Sequence, residues 1–208
     1  MNAKAEQKER THESILESAA RLLRSKGISG ARVADVMKGA GLTVGGFYAH
    51  FDSKEALVDA ALRLTAGRLR AHLFAGLDDK GEADRAQVVL ERYVSALHRD
   101  EVEKGCPFPA VVGEVATTAP EHTPVLAEQI DLFATELEAL LPKGPGLSRK
   151  HLALGLLALM YGGLGLARAL KGTPLSDEVI KACRAFGRAA VRTSSVQTRE
   201  RTTEGRSR

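Results

Sequence analysis

From about Glu9 to Val191 the apolar residues return at intervals of three and four, and nowhere do they alternate. That period lines one face of an α-helix; a strand needs a period of two. A chain patterned this way is confined to helix-on-helix packing. The stripes are short at first (Ile15, Ala19, Leu22, Leu23; then Val33, Val36, Met37, Ala40) and longer later, and they give about nine helices in an all-α chain. At 208 residues, 44% hydrophobic and 27% charged, the chain is globular and long enough to bury a core.

Gly27 stops the first stripe, expected over about Glu9–Ser25, and Gly41 stops the second. Thr43 is placed to cap a third short helix bearing Phe47, Tyr48 and Phe51. Asp52-Ser53-Lys54-Glu55 reads as a helix start, capped by Asp52 with Glu55 or by Ser53 alone. Gly76–Gly81 is polar and reads as a joint. Beyond it lie a helix through Val89, Tyr93 and Leu97, a break at Gly105–Pro109, and a short helix to about Thr117. A Thr123-Pro124 helix start, a turn over 142–146 and helices over about Arg149–Lys171 and Ser176–Val191 complete the chain. The division expected is 1–54, a linker helix over 53–75, a second domain over 76–191, and a flexible basic tail over 192–208.

Charge follows this division. Residues 1–75 carry twelve Lys/Arg against eight Asp/Glu, residues 76–190 thirteen against sixteen, and residues 191–208 five against two. A basic front on an acidic body points to a polyanionic partner for the front; the excess is small, and many solvated helical faces carry the same.

Three short helices with Ala40-Gly41-Leu42 between the second and third have the spacing of a helix-turn-helix. Val33, Val36, Leu42, Phe47 and Phe51 can form its core. Thr43, Val44, Gly46 and Ala49 then face a major groove, with Tyr48, His50 and Lys54 beside it for phosphates. An ordinary helical hairpin would use Gly41 in the same way.

The stretch Gly41-Leu42-Thr43-Val44-Gly45-Gly46-Phe47-Tyr48-Ala49-His50-Phe51-Asp52-Ser53-Lys54-Glu55-Ala56-Leu57 resembles the signature of the TetR family of bacterial transcriptional regulators, over roughly residues 9–60. The resemblance implies an N-terminal DNA-binding domain and a C-terminal ligand-binding and dimerisation domain. It also implies a homodimeric repressor that releases double-stranded operator DNA when a small-molecule effector, here unidentified, binds. Carried onto this chain, Tyr48 and Lys54 become phosphate contacts, Thr43 opens the recognition helix, and Val44 and Gly46 occupy base-reading positions. Arg32 departs from the Ser or Thr usual at the start of the second helix and is suited to grip a phosphate. The reading surface is bare: Val44 offers a methyl contact to thymine, and Gly45 and Gly46 offer none. Shape readout and the phosphate clamp are then expected to carry much of the specificity. Two glycines in so short a helix cost about 1 kcal/mol each; close approach either to DNA or to another helix would explain them.

In the second half, Gly155, Ala158, Gly162, Gly165 and Ala169 form a strip of small residues beside a leucine strip, and Val179, Cys183 and Phe186 lie on the last helix. Two wide apolar faces suit a four-helix dimer interface, an arrangement the resemblance also implies; a purely internal core is the alternative. Leu73, Tyr93, Cys106, Phe108, Val112, Phe133 and Tyr161 are candidate pocket residues, each also at home in a plain core. Cys106, between Gly105 and Pro107 at a helix start near Lys104, is either a reactive sensor thiol or a small buried hydrophobe.

Enzymatic readings have little to stand on. There is no Walker loop, no GxSxG and no HExxH, so no catalytic residue, cofactor or metal is expected. A helical module whose front binds protein is a further alternative, and salt dependence separates it from DNA binding. The first residues are too polar for a signal peptide, and the longest uncharged run, His151–Ala167, is 17 residues against the roughly 20 a span needs. No membrane partner is expected. Two cysteines without a framework fit a reducing cytoplasm, and the resemblance implies a bacterial, nucleoid-associated protein.

Overall fold

The computed structural model describes residues 3–143 and 147–204, and among them every regular element is helical. The α-helices are α1 (Ala3–Gly30), α2 (Val33–Gly39), α3 (Lys54–Phe74), α4 (Glu82–Tyr93), α5 (Ala96–Asp100), α6 (Phe108–Thr117), α7 (Thr123–Ala139), α8 (Arg149–Ala169) and α9 (Pro174–Glu204). Short 3₁₀ helices occupy Val44–Ala49, Val102–Lys104 and Pro120–His122.

Compactness divides the chain differently from the linear division expected at residue 76. One unit comprises the residues up to Leu69 together with Glu101–Gln129; the other comprises Arg70–Asp100 and the residues from Ile130 onward. The reason is the packing of α6 on α1. Phe108, Val111 and Val115 of α6 are buried in the same unit as Ile15, Ala19 and Leu23 of α1. Local sequence gives no sign of a pairing between segments some 85 residues apart.

The elements differ from expectation in four further ways. α1 starts at Ala3 and kinks at Gly27, whose φ of 71° a side-chain-bearing residue rarely adopts. The third helix is 3₁₀ rather than α, because Gly45 and Gly46 weaken the longer-period form. The fifth expected helix is broken at Val94-Ser95 into α4 and α5. The last helix continues past Val191 to Glu204, where a flexible stretch was expected; a helix already nucleated propagates through Gln, Arg and Glu at little cost. Residues 205–208 of that expected tail, and 144–146 of the expected turn, lie outside the described residues.

In the second unit Leu90 and Tyr93 of α4, Phe133 and Leu137 of α7 and Leu156, Met160 and Leu164 of α8 form the core. α9 lies close on its neighbours: a Cβ at Gly187 would meet Leu90 Cδ2 at 2.5 Å, and one at Gly163 of α8 would meet Cys183 Sγ at 2.6 Å. With 21 residues, α8 is long and apolar enough to cross a membrane by length and composition. The 17-residue uncharged run had argued against this, but the helix extends beyond that run. Its Leu152, Ala153, Leu156, Leu157, Met160, Leu164 and Ala167 are instead buried in the core of the unit.

Candidate nucleic-acid interface

The helix-turn-helix is fixed by short-range bonds. Gly41, at φ 73°, ends α2 in a Schellman turn: Leu42 N–H donates to Met37 O at 2.9 Å and Gly41 N–H to Lys38 O at 3.0 Å. The chain then enters the Val44–Ala49 helix with Phe47 buried beneath it. Phe47 stacks on Phe51 at 6.0 Å, over buried Val36 and Met37. Val33 and Leu42, expected in this core, are only half-buried. Ser53, not Asp52, opens α3: its Oγ accepts from Ala56 N–H at 3.1 Å. On the other side α2 meets α1, where a Cβ at Gly39 would stand 2.3 Å from Ser18 Oγ.

This scaffold presents Thr43, Val44, Gly45, Gly46 and Ala49 to solvent. Val44 is 51% exposed and Tyr48 76%, the Tyr48 ring set edge-on against Phe47 at 5.1 Å. Thr43 and Arg32 stand at the N-cap positions of their helices without a side-chain capping bond, which leaves hydroxyl and guanidinium available to a partner. Lys54 is half-buried at the start of α3. His50 is half-buried too, and its Nδ1 has no hydrogen-bond partner. Its pKa is lowered, first by burial and then by the nearby charges of His12 and Lys8. A Cβ at Gly45 would meet nothing within 4 Å, and one at Gly46 only Met37 Cε at 3.8 Å. Intramolecular packing therefore does not require either glycine.

Glu114 of α6, which sequence reasoning missed, holds the entrance to this motif. Its carboxylate accepts from Ile28 N–H and Ser29 N–H, both at 2.8 Å, just past the Gly27 kink. A Cβ at Gly27 would lie 1.9 Å from Glu114 Oε1. Burial pushes the Glu114 pKa up, but the bonds from Ser29 and Ile28 outweigh it and hold the group below its ordinary value. The available signal was that Glu114 is the sole charged residue in Phe108–Thr117. The same unit holds buried His122, whose Nδ1 is 2.7 Å from Asp59 Oδ1.

The candidate pocket residues divide between the units. Tyr93, Phe133 and Tyr161 gather in one aromatic cluster, with Tyr93–Tyr161 centroids 5.7 Å and Phe133–Tyr161 6.4 Å apart, and Leu73 is buried in the same unit. Phe74 joins Phe133 at 5.7 Å, and His98 sets its ring edge-on to Tyr93 at 4.6 Å. Cys106, Phe108 and Val112 belong to the other unit, because α6 packs on α1. Cys106 is 1% exposed, and Val112 faces solvent. Of the candidate dimer residues, Gly155, Ala158, Gly162 and Phe186 are exposed, Phe186 by 69%, while Gly165, Val179 and Cys183 are half-buried. Burial raises the Cys183 pKa. Leu166, on the expected leucine strip, is 57% exposed beside the small residues.

Comparison with known proteins bears on the same region. Residues 15–61 match the family described as bacterial regulatory proteins, tetR family. The chain is similar to the HTH-type transcriptional repressor KstR2 of Rhodococcus jostii (strain RHA1), with 32% identity over 88 residues, or 40% of this chain; the match spans 43% of that relative's length. Among solved structures, a TetR transcriptional regulator from Chloroflexus aurantiacus is 26% identical with a TM-score of 0.72, over 87% of this chain and 96% of that one. A TetR-family regulator from Cytophaga hutchinsonii shares the fold at 23% identity and a TM-score of 0.74, over 91% and 97%. The Schellman turn and the all-helical architecture agree with these matches: over residues 15–61 the chain is similar to the bacterial regulatory proteins of the tetR family, and over most of its length it shares the fold of TetR regulators.

Proposed function

We propose that this protein is a cytoplasmic transcriptional repressor that binds a palindromic operator as a homodimer and releases it when a small molecule binds. The observation that carries the reading is the exposed Thr43–Ala49 surface over the buried Phe47–Phe51 core. Such a surface enters a major groove, and two copies on a twofold axis read half-sites roughly 34 Å apart. Val44 meets a thymine methyl, while Arg32, Thr43, Tyr48, His50 and Lys54 grip phosphates. The dimer forms through α8 and α9, where Gly155, Ala158, Gly162, Leu166 and Phe186 face outward.

The effector enters among the aromatic residues Tyr93, Phe133 and Tyr161 and shifts α3, which carries the change toward the recognition helix. Cys106 supports the ligand arm of this reading over the thiol arm, since an electrophile reaches a buried sulfur only after the segment around it opens. Selection of bound genomic fragments by the purified chain tests the proposal. The expected result is an inverted repeat with half-sites about one helical turn apart. Equal affinity for all fragments at moderate salt would refute it. If Cys106→Ser still releases operator to oxidants and electrophiles as the wild type does, modification of that residue is no part of the response.

A further inference from the structure

His50 ends the Val44–Ala49 helix, its backbone N–H donating to Phe47 O at 2.9 Å. Phe51 turns into the core directly after it, which holds the His50 ring half-buried at the edge of the reading surface. A second imidazole reaches the same edge from α1, in the same unit. The His12 ring stacks on Phe51 with centroids 4.5 Å apart and planes 18° apart. It lies 6.1 Å from the His50 ring, tilted by 40°. Lys8 stands one turn before His12 on the same side of α1. Sequence reasoning placed His50 beside the groove without this companion, because the two are far apart along the chain.

Two features keep His50 uncharged in the free protein. Its Nδ1 is shut off from solvent and has no hydrogen-bond partner. An imidazolium carries a proton on both ring nitrogens, so protonation would strand a charged N–H there; the neutral tautomer with its proton on Nε2 does not. The second feature is the surroundings. Burial lowers the His50 pKa first, and His12 and Lys8 of α1 lower it further. Tyr48 is the titratable neighbour on its own helix. The groove that His12 lines carries Glu9, Arg10, Glu13 and Glu17 on α1 and Arg68 on α3, of mixed sign. The charges that act on His50 among the described residues are cationic. A phosphate reverses this balance, since its charge favours the imidazolium and its oxygens accept from Nε2–H.

We propose that His50, with His12 behind it, is a proton-linked contact of the nucleic-acid interface: His50 is neutral in the free protein and takes a proton from solvent when a backbone phosphate docks on it, so the operator is held more tightly as pH falls. The inference rests on the DNA-binding reading above and deepens it, giving one phosphate contact a charge that depends on pH. His12 is a positioning residue, which packs the Phe51 edge and, when charged, opposes the proton on His50. By linkage, log K rises on acidification with a slope equal to the protons taken up, at most about one per pH unit for each protomer. Fragment preference does not change, because a phosphate contact carries no sequence information.

The test is the pH dependence of binding to a fragment selected from the genome. Affinity of the full-length chain is measured by fluorescence anisotropy between about pH 6 and 8 at constant ionic strength, for the wild type, His50→Gln, His12→Gln and His12→Lys. Calorimetry of the wild type near pH 6.5, in buffers of different ionisation enthalpy, counts the protons directly. The wild type is expected to bind about fivefold more tightly per protomer at the acid end and to take up roughly half a proton per protomer. His50→Gln should give a level profile. His12→Gln removes the opposing charge and moves the rise to higher pH; His12→Lys makes that charge permanent and moves it to lower pH. Packing by His12 would not shift the profile in opposite directions. Far-ultraviolet dichroism at both ends of the range should match for all four proteins. A wild type that prefers the selected fragment but takes up no proton overturns this inference alone, and so does a rise that survives in His50→Gln. Shifts of one sign in both His12 variants overturn the pairing of the two imidazoles. A wild type that prefers no fragment at any pH takes the DNA-binding reading down with it.

Discussion

The helix-turn-helix and the aromatic cluster of the second unit are both buried constructions, assembled over very different distances along the chain. From Val33 to Phe51 the important bonds close within five residues: Leu42 to Met37, Gly46 to Thr43, His50 and Phe51 to Phe47. The cluster draws Phe74, Tyr93, Phe133 and Tyr161 from four helices. Local closure leaves a pattern that any single stretch displays. Long-range closure leaves only a face of apolar residues, which fits several partners equally well.

The largest expected effects test whether the two constructions are energetically separate. Phe47→Ala and Phe133→Ala each remove a buried ring and should each cost about 3–5 kcal/mol. The first is expected to abolish operator binding. The second should lower the melting temperature but leave operator affinity within about threefold while the protein stays folded. If Phe133→Ala remains helical by dichroism yet loses the operator, the separation is wrong.

The next effect lies in the second unit. His98 is buried, and its Nδ1–H donates to Tyr93 O at 2.7 Å. Burial, with the nearby Arg168 charge, lowers its pKa to about 4; the Tyr93 bond opposes that shift. An unfolded histidine has a pKa of about 6.5. Between these values the unfolded chain binds the extra proton, so stability rises with pH there. The contribution is complete above about 6.5 and lost as pH falls toward about 4, on the order of 3 kcal/mol in all. Denaturant melts at pH 7.5 and 4.5 should show this loss, and His98→Gln should flatten it. A wild-type stability that is level across this range would leave His98 out of the acid response.

What the sequence disclosed follows the same contrast. Gly41 after a short apolar stripe gave the turn, and the Thr43–Lys54 pattern gave the exposed surface and its core, with Val33 and Leu42 less buried than expected. The all-helical class was legible from period alone, while the 3₁₀ form of Val44–Ala49 and the break at Val94-Ser95 were not. The return of α6 to α1 was not, because Phe108, Val111 and Val115 make an apolar face that would serve against any helix. For the same reason Cys106, Phe108 and Val112 were grouped with Tyr93 and Phe133, from which the units divide them. The single Glu114 within that face was the one local mark of where α6 docks.

Glu114 supplies the third prediction. Removing it leaves Ile28 N–H and Ser29 N–H without their acceptor, at a cost of about 1–2 kcal/mol. Glu114→Ala should speed amide exchange at Ile28 and Ser29 and weaken operator binding about fivefold, whereas Glu114→Gln, which keeps one acceptor oxygen, should recover part of both. Because its pKa is lowered, the wild-type contribution is present above the ordinary carboxylate range and fades as pH falls through the lowered value. Faster exchange at residues 28–29 with unchanged operator affinity would show that the entrance to α2 tolerates a loose hold.

The smallest effect is the most discriminating, because structure and function pull it in opposite directions. Gly45 lies outside the left-handed region, and a Cβ there meets nothing within 4 Å. Alanine at this position should stabilise the free protein by about 0.5–1 kcal/mol, through helix propensity and a less flexible unfolded chain. On a duplex the added methyl stands where the backbone approaches the groove, so Gly45→Ala should bind the operator less tightly while melting higher. Thermal denaturation and fluorescence anisotropy on one preparation read both signs. A variant that gains stability and keeps its affinity would show that Gly45 does not lie against the bases, and Val44 would then be left to read them from a greater distance. A variant that loses stability would mean that the 3₁₀ geometry of Val44–Ala49 itself depends on glycine, which moves the requirement from the partner back into the fold.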